Sequence, residues 1–259
     1  MRSKPLDELK NEIAELEKNG FSEIVLVGIN LSAYGMGTDK NIVDAVKLAA
    51  SFDGIKRVRL GSLEPDHITD EIIDGLSGIS EFCPQFHISL QSGCDATLKR
   101  MNRHYNSAEY YSLCNKLRNA FDGTTLTTDI MVGFPGETDE YFTESLEFVK
   151  KVGFEKVHVF PYSIRPGTPA AKMTDQIEKC EKEKRAAIMS AATEEIRQSF
   201  LESQIGKTLE VLIEEYHGGY AQGFTKNYTP VKIACDENLH GIIKTKITAV
   251  DGDFCIGTL

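Results

Sequence analysis

Polar side chains recur at every second position of four otherwise apolar segments. Successive residues of a β-strand point to opposite faces, so each segment has one polar and one apolar face. The polar residues are Arg57 and Arg59, then His87, Ser89 and Gln91, then Thr127 and Asp129, and finally His158 and Tyr162. If the apolar faces contact helices, the polar faces line a wet lumen that suits a large polar ligand.

The residues that directly follow these segments are rich in glycine and small polar side chains. In folds built from βα units, active sites gather at the carboxyl ends of the strands. Glycine lets a backbone approach a ligand closely, and amides at a helix start favour a carboxylate or hydroxyl. The strings are Gly28-Ile29-Asn30, Gly61-Ser62-Leu63-Glu64, Gln91-Ser92-Gly93, Gly133-Phe134-Pro135-Gly136-Glu137 and Arg165-Pro166-Gly167. We therefore expect a ligand site at this edge.

Apolar strands and amphipathic helices alternate as far as about residue 169, which predicts an α/β fold with a parallel sheet. Ser3 is the predicted N-cap of a first helix that Gly20 ends. Strands are predicted at 23–28, 57–62, 85–90, 126–132 and 156–160, and helices at 41–52, 69–79, 107–121 and 138–152. Five such units suit a (βα) barrel or part of one. A charged helix is predicted to follow, over about 172–203.

Beyond residue 206 the pattern changes to short alternating strands, predicted at 208–213, 230–234, 242–247 and 253–256. Turns are predicted between them at Gly218-Gly219, Gly223, Asp236-Glu237-Asn238 and Asp251-Gly252. This pattern predicts a small all-β, OB-like barrel. We therefore expect two domains, 1–203 and 204–259.

Composition narrows the class of protein. The chain has 259 residues, 41% hydrophobic and 26% charged, with a net charge of −10. No stretch reaches membrane-spanning length and no signal peptide opens the chain, so a cytoplasmic protein is expected. An acidic protein repels nucleic acid at long range, and residues 204–259 carry five lysines against seven acidic residues. Any RNA binding must therefore come from a local patch.

The six cysteines lie at positions 83, 94, 114, 180, 235 and 255. No two of them have the C-x-x-C or C-x-x-x-C spacing that metal and cluster sites use. Disulfides are rare in a cytosolic protein, so these side chains are interpreted as small buried hydrophobic groups. No metal site is predicted.

Four strings resemble the MiaB-like radical-SAM tRNA methylthiotransferases. They are residues 23–35 (EIVLVGINLSAYG), 87–103 (HISLQSGCDATLKRMNR), 128–138 (TDIMVGFPGET) and 161–172 (PYSIRPGTPAAK). The tail from about residue 204 resembles a TRAM domain, with KNYTPV at 226–231 as its recognisable part. The subgroup that acts on threonylcarbamoyladenosine beside the tRNA anticodon is the most similar.

The resemblance implies a partial (βα) radical-SAM barrel that binds S-adenosylmethionine across its top. An iron–sulfur cluster would cleave this cofactor to a radical that abstracts hydrogen from adenine C2, and a second cluster would supply sulfur. By motif position, the implied cofactor residues are Asn30, Ser62, Gln91, Ser92, Arg103, Gly133, Gly136 and Glu137. Asp129, His158 and Arg165 are assigned to the substrate side.

The family's C-x-x-x-C-x-x-C loop, its first barrel strand and its amino-terminal domain have no counterpart here. The resemblance therefore implies an amino-terminally truncated protein that is catalytically inactive alone, with strand 23–28 as an exposed apolar edge. Two other interpretations stay open. One is a tRNA-binding module without a cluster; the other is an unrelated (βα)-barrel lyase or hydrolase that uses Glu64, Asp129 and His158 as acid–base groups.

Overall fold

A computed structural model describes residues 3–236 and 238–259 of the chain. Seven α-helices and ten strands are described, and the first two-thirds alternate between the two. The helices are α1 Leu6–Lys18, α2 Ile42–Ala50, α3 Asp70–Ser77, α4 Asp95–Arg100, α5 Ser107–Ala120, α6 Asp139–Val152 and α7 Lys179–Glu202. None of these helices has both the length and the hydrophobicity that a membrane crossing requires.

The first five strands are β1 Glu23–Leu26, β2 Arg57–Leu60, β3 Gln85–His87, β4 Thr125–Val132 and β5 Lys156–Pro161. They pair in parallel as β1-β2 and as β3-β4-β5. Backbone bonds from Leu63 N to His87 O (2.8 Å) and from Ser89 N to Leu63 O (3.1 Å) continue the pairing between the two sheets. All five predicted strands are thereby confirmed, with ends that differ by one to three residues.

The apolar faces of these strands pack against the helices. Phe86, Leu126 and Ile130 are fully buried in one cluster with residues of α2, α3, α5 and α6. The opposite face carries Arg57, Arg59, His87, Thr127, Asp129 and His158, and it is called the polar face below. The predicted division of the strands into an apolar helix-facing row and a polar row is therefore confirmed.

Local signals set most helix ends. Asn41 and Asn106 form capping boxes with Asp44 and Glu109, which satisfy backbone amides at the starts of α2 and α5. The prediction for Ser3 was wrong, because α1 begins after Pro5 and the Ser3 hydroxyl accepts a bond from Gly35 N at 2.9 Å. Pro5 is the N-cap residue, and it makes no side-chain hydrogen bond to the helix.

The charged helix begins later than predicted. Ala170–Lys172 form a short 3-10 turn and α7 starts only at Lys179. Between them the chain is extended, and Asp175 O accepts a bond from Gly136 N at 2.8 Å. This tertiary contact holds the segment out of helical geometry, which residue propensity alone could not indicate.

The last five strands form a closed barrel in the order β10-β8-β7-β6-β9. They are β6 Thr208–His217, β7 Tyr220–Thr225, β8 Pro230–Ala234, β9 Gly241–Asp251 and β10 Phe254–Thr258. Its interior is apolar, with Val211, Val231, Ile233, Ile247 and Cys255 buried around Leu201 of α7.

Strand β7 was missed, and the prediction of a turn at Gly223 was wrong. Gly223 lies inside β7 opposite Ile213, and an added Cβ would stand 1.9 Å from Leu212 O. The glycine is required by the close approach of two strands, where β6 also has a bulge, rather than by a change of chain direction. The turn at Gly218-Gly219 is confirmed, since it joins β6 to β7.

Two buried arginines join the closed barrel to the parallel strands. Arg57 donates to Phe224 O (2.8 Å) and Glu210 O (3.0 Å), and Arg59 donates to Thr225 O (2.9 Å) and Lys226 O (3.0 Å). Both guanidinium groups face Glu23, at 3.9 and 2.7 Å. The expectation that both arginines line a wet lumen was wrong, because their side chains are 3% exposed and bind backbone carbonyls of the closed barrel.

Candidate ligand-binding site

The centre of the polar face is a group of side chains from β3, β4 and β5. His87 Nδ1 lies 3.0 Å from Thr127 Oγ1, and His87 Nε2 lies 3.4 Å from Asp129 Oδ2. Gln85 Nε2 donates to the same Thr127 hydroxyl at 3.2 Å. The register of β3 on β4 places His87 beside Thr127, so the strand pairing itself builds the group.

His158 adds a second imidazole to this group. It is the register partner of Asp129, and its ring centroid is 6.0 Å from that of His87. Partial burial, followed by the positive charge of Lys156, lowers the pKa of His158 from its ordinary value, while Asp129 opposes the change. His158 therefore favours the neutral imidazole, which can both donate and accept a hydrogen bond.

Asn30 follows β1 at the carboxyl edge of the sheet. Its Oδ1 is buried without a hydrogen-bond partner in the described residues. A groove of about 710 Å³ runs beside β1 and is lined by Asn30 and by residues of α1 and α2. A buried acceptor without a partner is costly unless a ligand or water donates to it. Asn30 is thus positioned to accept a bond from a ligand hydroxyl or amine.

Other residues predicted for the cofactor lie at the same edge but differ in availability. Ser62 is exposed and Gln91 is half-buried with a φ of 69°. Ser92 is buried, and its hydroxyl accepts from Cys94 N at 3.2 Å. The Ser92 side chain therefore shapes the turn before α4, whereas Ser62 and Gln91 remain reachable from the polar face.

The turn after β4 is held by α7. Glu137 is buried, and its Oε1 accepts from Gly133 N and from Arg185 Nη1, both at 2.8 Å. Gly133 and Gly136 have φ of 69° and 79°, a region that favours glycine. The carboxylate of Glu137 therefore fixes the loop shape, and neighbouring side chains cover both glycines.

The predicted arginines have unequal surroundings. Arg103 Nη1 pairs with Glu64 Oε2 at 3.1 Å, so Arg103 and Glu64 form one partly exposed unit. Arg165 is exposed in the loop after β5, where its carbonyl accepts from the Thr168 hydroxyl at 2.8 Å. The site therefore offers one paired and one exposed guanidinium group.

Sequence reasoning missed the contributions of Gln85 and Arg185. Gln85 stands two residues before His87, so strand alternation already placed it on the polar face. Arg185 is one of many charged residues in α7, and nothing in the sequence indicates that its side chain is buried between Glu137 and Asp139.

The donor set fits S-adenosylmethionine better than it fits an iron–sulfur cluster. Asn30 Oδ1 and the Ser62 hydroxyl suit ribose hydroxyls and an amino-acid group. Within residues 3–236 and 238–259, no group of three or more Cys, His, Asp or Glu could hold a metal ion. Cluster iron requires thiolates that lie close together, so the described residues do not fit a cluster.

Comparison with known proteins places these features in context. The model of the radical SAM superfamily matches residues 1–149. The threonylcarbamoyladenosine tRNA methylthiotransferase MtaB of Thermotoga maritima is 38% identical over 229 residues, which are 88% of this chain and 53% of that protein. The tRNA-2-methylthio-N(6)-dimethylallyladenosine synthase of Mycobacteroides abscessus is also 38% identical, over 84% of this chain and 45% of its own length.

The fold agrees with solved structures. The radical SAM enzyme HemN, the coproporphyrinogen III oxidase of Escherichia coli, superposes with a TM-score of 0.56 at 18% identity, covering 72% of this chain and 45% of HemN. The identities to MtaB and to the dimethylallyladenosine synthase, not this superposition, confirm the resemblance to the methylthiotransferases stated from the sequence. The chain spans about half the length of the curated relatives it matches.

Proposed function

Since the chain belongs to the radical SAM superfamily, we propose that it is the barrel and TRAM portion of a tRNA methylthiotransferase. In the complete enzyme, this portion binds S-adenosylmethionine and tRNA in the cytoplasm. The complete enzyme adds a methylthio group to C2 of threonylcarbamoyladenosine beside the anticodon. The observation that carries the proposal is the 38% identity to a threonylcarbamoyladenosine tRNA methylthiotransferase over 88% of the chain.

The geometry supports this proposal at two places. The edge after β1 offers a buried acceptor, Asn30, for the cofactor. The polar face between β3 and β5 offers Asp129 and His158, with Arg165 beyond β5, for a polar substrate. If apolar side chains stood at these three positions, no hydrogen-bonding groups would be present there to bind a nucleoside.

The boundary between the proposed domains lies at residues 203 and 204. Helix α7 ends at Glu202 and β6 begins at Thr208, although Leu201 already packs inside the closed barrel. Because Leu201 of α7 packs into the closed barrel, we expect the closed barrel to move together with the parallel strands when RNA binds.

One experiment tests the activity and the choice of nucleoside. The amino-terminal half of the Thermotoga relative is fused to this chain, the clusters are reconstituted anaerobically, and nucleosides of the treated tRNA are analysed by mass spectrometry. We expect 2-methylthio-threonylcarbamoyladenosine. A folded, cluster-loaded fusion that modifies dimethylallyladenosine instead would overturn the nucleoside assignment, and one that modifies neither would overturn the proposed activity.

A second experiment tests the chain alone. We propose that it is inactive without cluster ligands, because radical chemistry needs an electron donor at the sulfonium. After anaerobic reconstitution with iron and sulfide, we expect neither stoichiometric cluster absorbance nor release of 5′-deoxyadenosine. The fusion treated in parallel is the matched control, and cleavage of S-adenosylmethionine by the chain alone would contradict the proposal.

A further inference from the structure

A line of hydrogen-bonding side chains crosses the polar face from β3 to β4. Gln85 Nε2 is 3.2 Å from Thr127 Oγ1, which is 3.0 Å from His87 Nδ1. On the other side of the ring, Nε2 is 3.4 Å from Asp129 Oδ2. Each of these four side chains therefore lies within reach of a neighbour with which it can form a hydrogen bond.

The direction of the bonds follows from proton counting. The amide of Gln85 can only donate from Nε2, so Thr127 accepts there and keeps its own hydroxyl proton for another partner. The carboxylate of Asp129 favours a proton on the nearer ring nitrogen, Nε2. A neutral imidazole with a proton on Nε2 has an acceptor at Nδ1, and in this tautomer the Thr127 hydroxyl would donate to it.

Asp129 has spare capacity after this contact. An ionised carboxylate can accept about four hydrogen bonds. In the described ranges, the side chain of Asp129 has His87 as its ion-pair partner, and about a third of the Asp129 side chain is exposed, at 32%. Its Oδ1 can therefore meet a donor that arrives on the polar face.

We propose that His87 is a positioning residue that holds the Asp129 carboxylate to accept an N–H or O–H of an adenosine group. This inference rests on the proposed function, since that function supplies an adenosine in two forms. One is the adenosyl group of S-adenosylmethionine and the other is the target nucleoside of tRNA. The chemistry at Asp129 is the same for both, and the test separates them.

The other charged side chains near this position do not compete with Asp129 as hydrogen-bond acceptors. Lys156 is the register partner of Thr127, and His158 is that of Asp129; both lie on β5. Arg57 and Arg59 of the same face are taken up by carbonyls of the closed barrel. The carboxylate of Asp129 is therefore the one strong acceptor among these side chains, since the others are lysine, histidine and arginine.

Two substitutions of His87 separate positioning from mere packing. In His87→Gln, the side-chain amide nitrogen can occupy the place of Nε2 and still donate to Asp129. In His87→Asn, the shorter amide reaches only the place of Nδ1, so the contact with Asp129 is lost. Asp129→Asn removes the acceptor charge itself, and His240→Gln, in an exposed loop of the closed barrel, is the control.

The 259-residue chain and its variants are titrated with S-adenosylmethionine and, separately, with an anticodon stem–loop RNA. For the ligand that uses the site, we expect Asp129→Asn and His87→Asn to weaken binding about tenfold or more, because a hydrogen bond to a charged group is lost. His87→Gln should retain affinity within about threefold, and His240→Gln should match the wild type. The ligand whose affinity falls identifies the source of the adenosine.

Nitrogen NMR of the His87 imidazole reports which ring nitrogen carries the proton, and a purely structural role of His87 would not change this tautomer. We expect ligand-free His87 to carry its proton on Nε2, and Thr127→Val to shift it towards the Nδ1–H form. A proton on Nδ1 in the wild type, or equal binding by His87→Asn and His87→Gln, would overturn the inference and leave the proposed function standing. If the wild type binds neither ligand, the adenosine assignment fails together with the proposed function, whatever the tautomer.

Discussion

The closed barrel and the parallel strands use their inner surfaces in opposite ways. The closed barrel fills its interior with Val211, Val231, Ile233, Ile247 and Cys255. The parallel strands put their apolar residues against helices and leave histidine, threonine and aspartate on the other face. A closed five-stranded barrel has no room for a ligand, whereas the open polar face does. Both parts bury an apolar core, and the parallel strands also present polar side chains that a ligand could reach.

The arginines of β2 show how the two surfaces meet. Arg57 and Arg59 belong to the polar face by strand alternation, yet they bind carbonyls of the closed barrel. Tyr228 completes this junction, with its ring 4.7 Å from Arg59 and stacked on Phe224 at 4.2 Å. The Tyr228 ring therefore contacts both Phe224 and the Arg59 guanidinium group.

The largest effect is expected inside the closed barrel. Ile233 is fully buried there, so Ile233→Ala should lower the free energy of unfolding by about 2–5 kcal/mol through lost burial and a cavity. Ile242→Ala, at a partly exposed site of the same barrel, should cost about 0.5 kcal/mol or less. Urea unfolding followed by circular dichroism measures both. Equal costs would mean that the barrel interior is not packed as described.

The junction should show the next largest effect. Arg59→Met removes the donors to Thr225 O and Lys226 O and leaves Glu23 with a weaker partner, so we expect a loss of about 2–4 kcal/mol. Lys116→Met breaks an exposed pair with Asp70 and should cost under about 1 kcal/mol. Thermal unfolding compares the two, and a small loss for Arg59→Met would show that the domains do not depend on this contact.

The edge of β1 should affect association rather than stability. In the described part of the chain β1 pairs with β2 only, and Val27 is 75% exposed beside it. Such an edge can pair with another chain, and a lysine there discourages this. We expect Val27→Lys to reduce self-association in analytical ultracentrifugation at unchanged thermal stability.

Ile188→Lys is the matched control for the edge. Ile188 is also exposed, at 41%, but it lies on α7, where backbone groups are satisfied within the helix. We expect this variant to associate as the wild type does. A similar reduction by both variants would point to general hydrophobicity instead of strand pairing.

Strand alternation was enough to predict the parallel strands and the polar face, because period-two patterns such as that around His87 depend only on local sequence. Three features depended on distant contacts and could not be predicted. Gly223 is required by the approach of β6, Arg57 and Arg59 are buried against the closed barrel, and Glu137 is engaged by Arg185. The residue types at the site were therefore predictable, but not which of them are already occupied.

The smallest expected effect is a pKa change at His158 on the polar face. Burial and Lys156 lower its pKa below the ordinary 6.5, and Asp129 opposes them. The unfolded chain then binds this proton more readily than the folded chain, so the histidine's contribution favours folding above pH 6.5 and declines as pH falls below that value.

Proton NMR titration of the His158 ring tests the signs of these contributions. We expect a midpoint below 6.5 in the wild type, an upward shift in Lys156→Met and a downward shift in Asp129→Asn. Lys151→Met, whose ammonium lies over the ring of Tyr111 instead, should leave the midpoint unchanged. A wild-type midpoint above 6.5 would mean that Asp129 outweighs burial, and the polar face would then present a charged imidazole to its ligand.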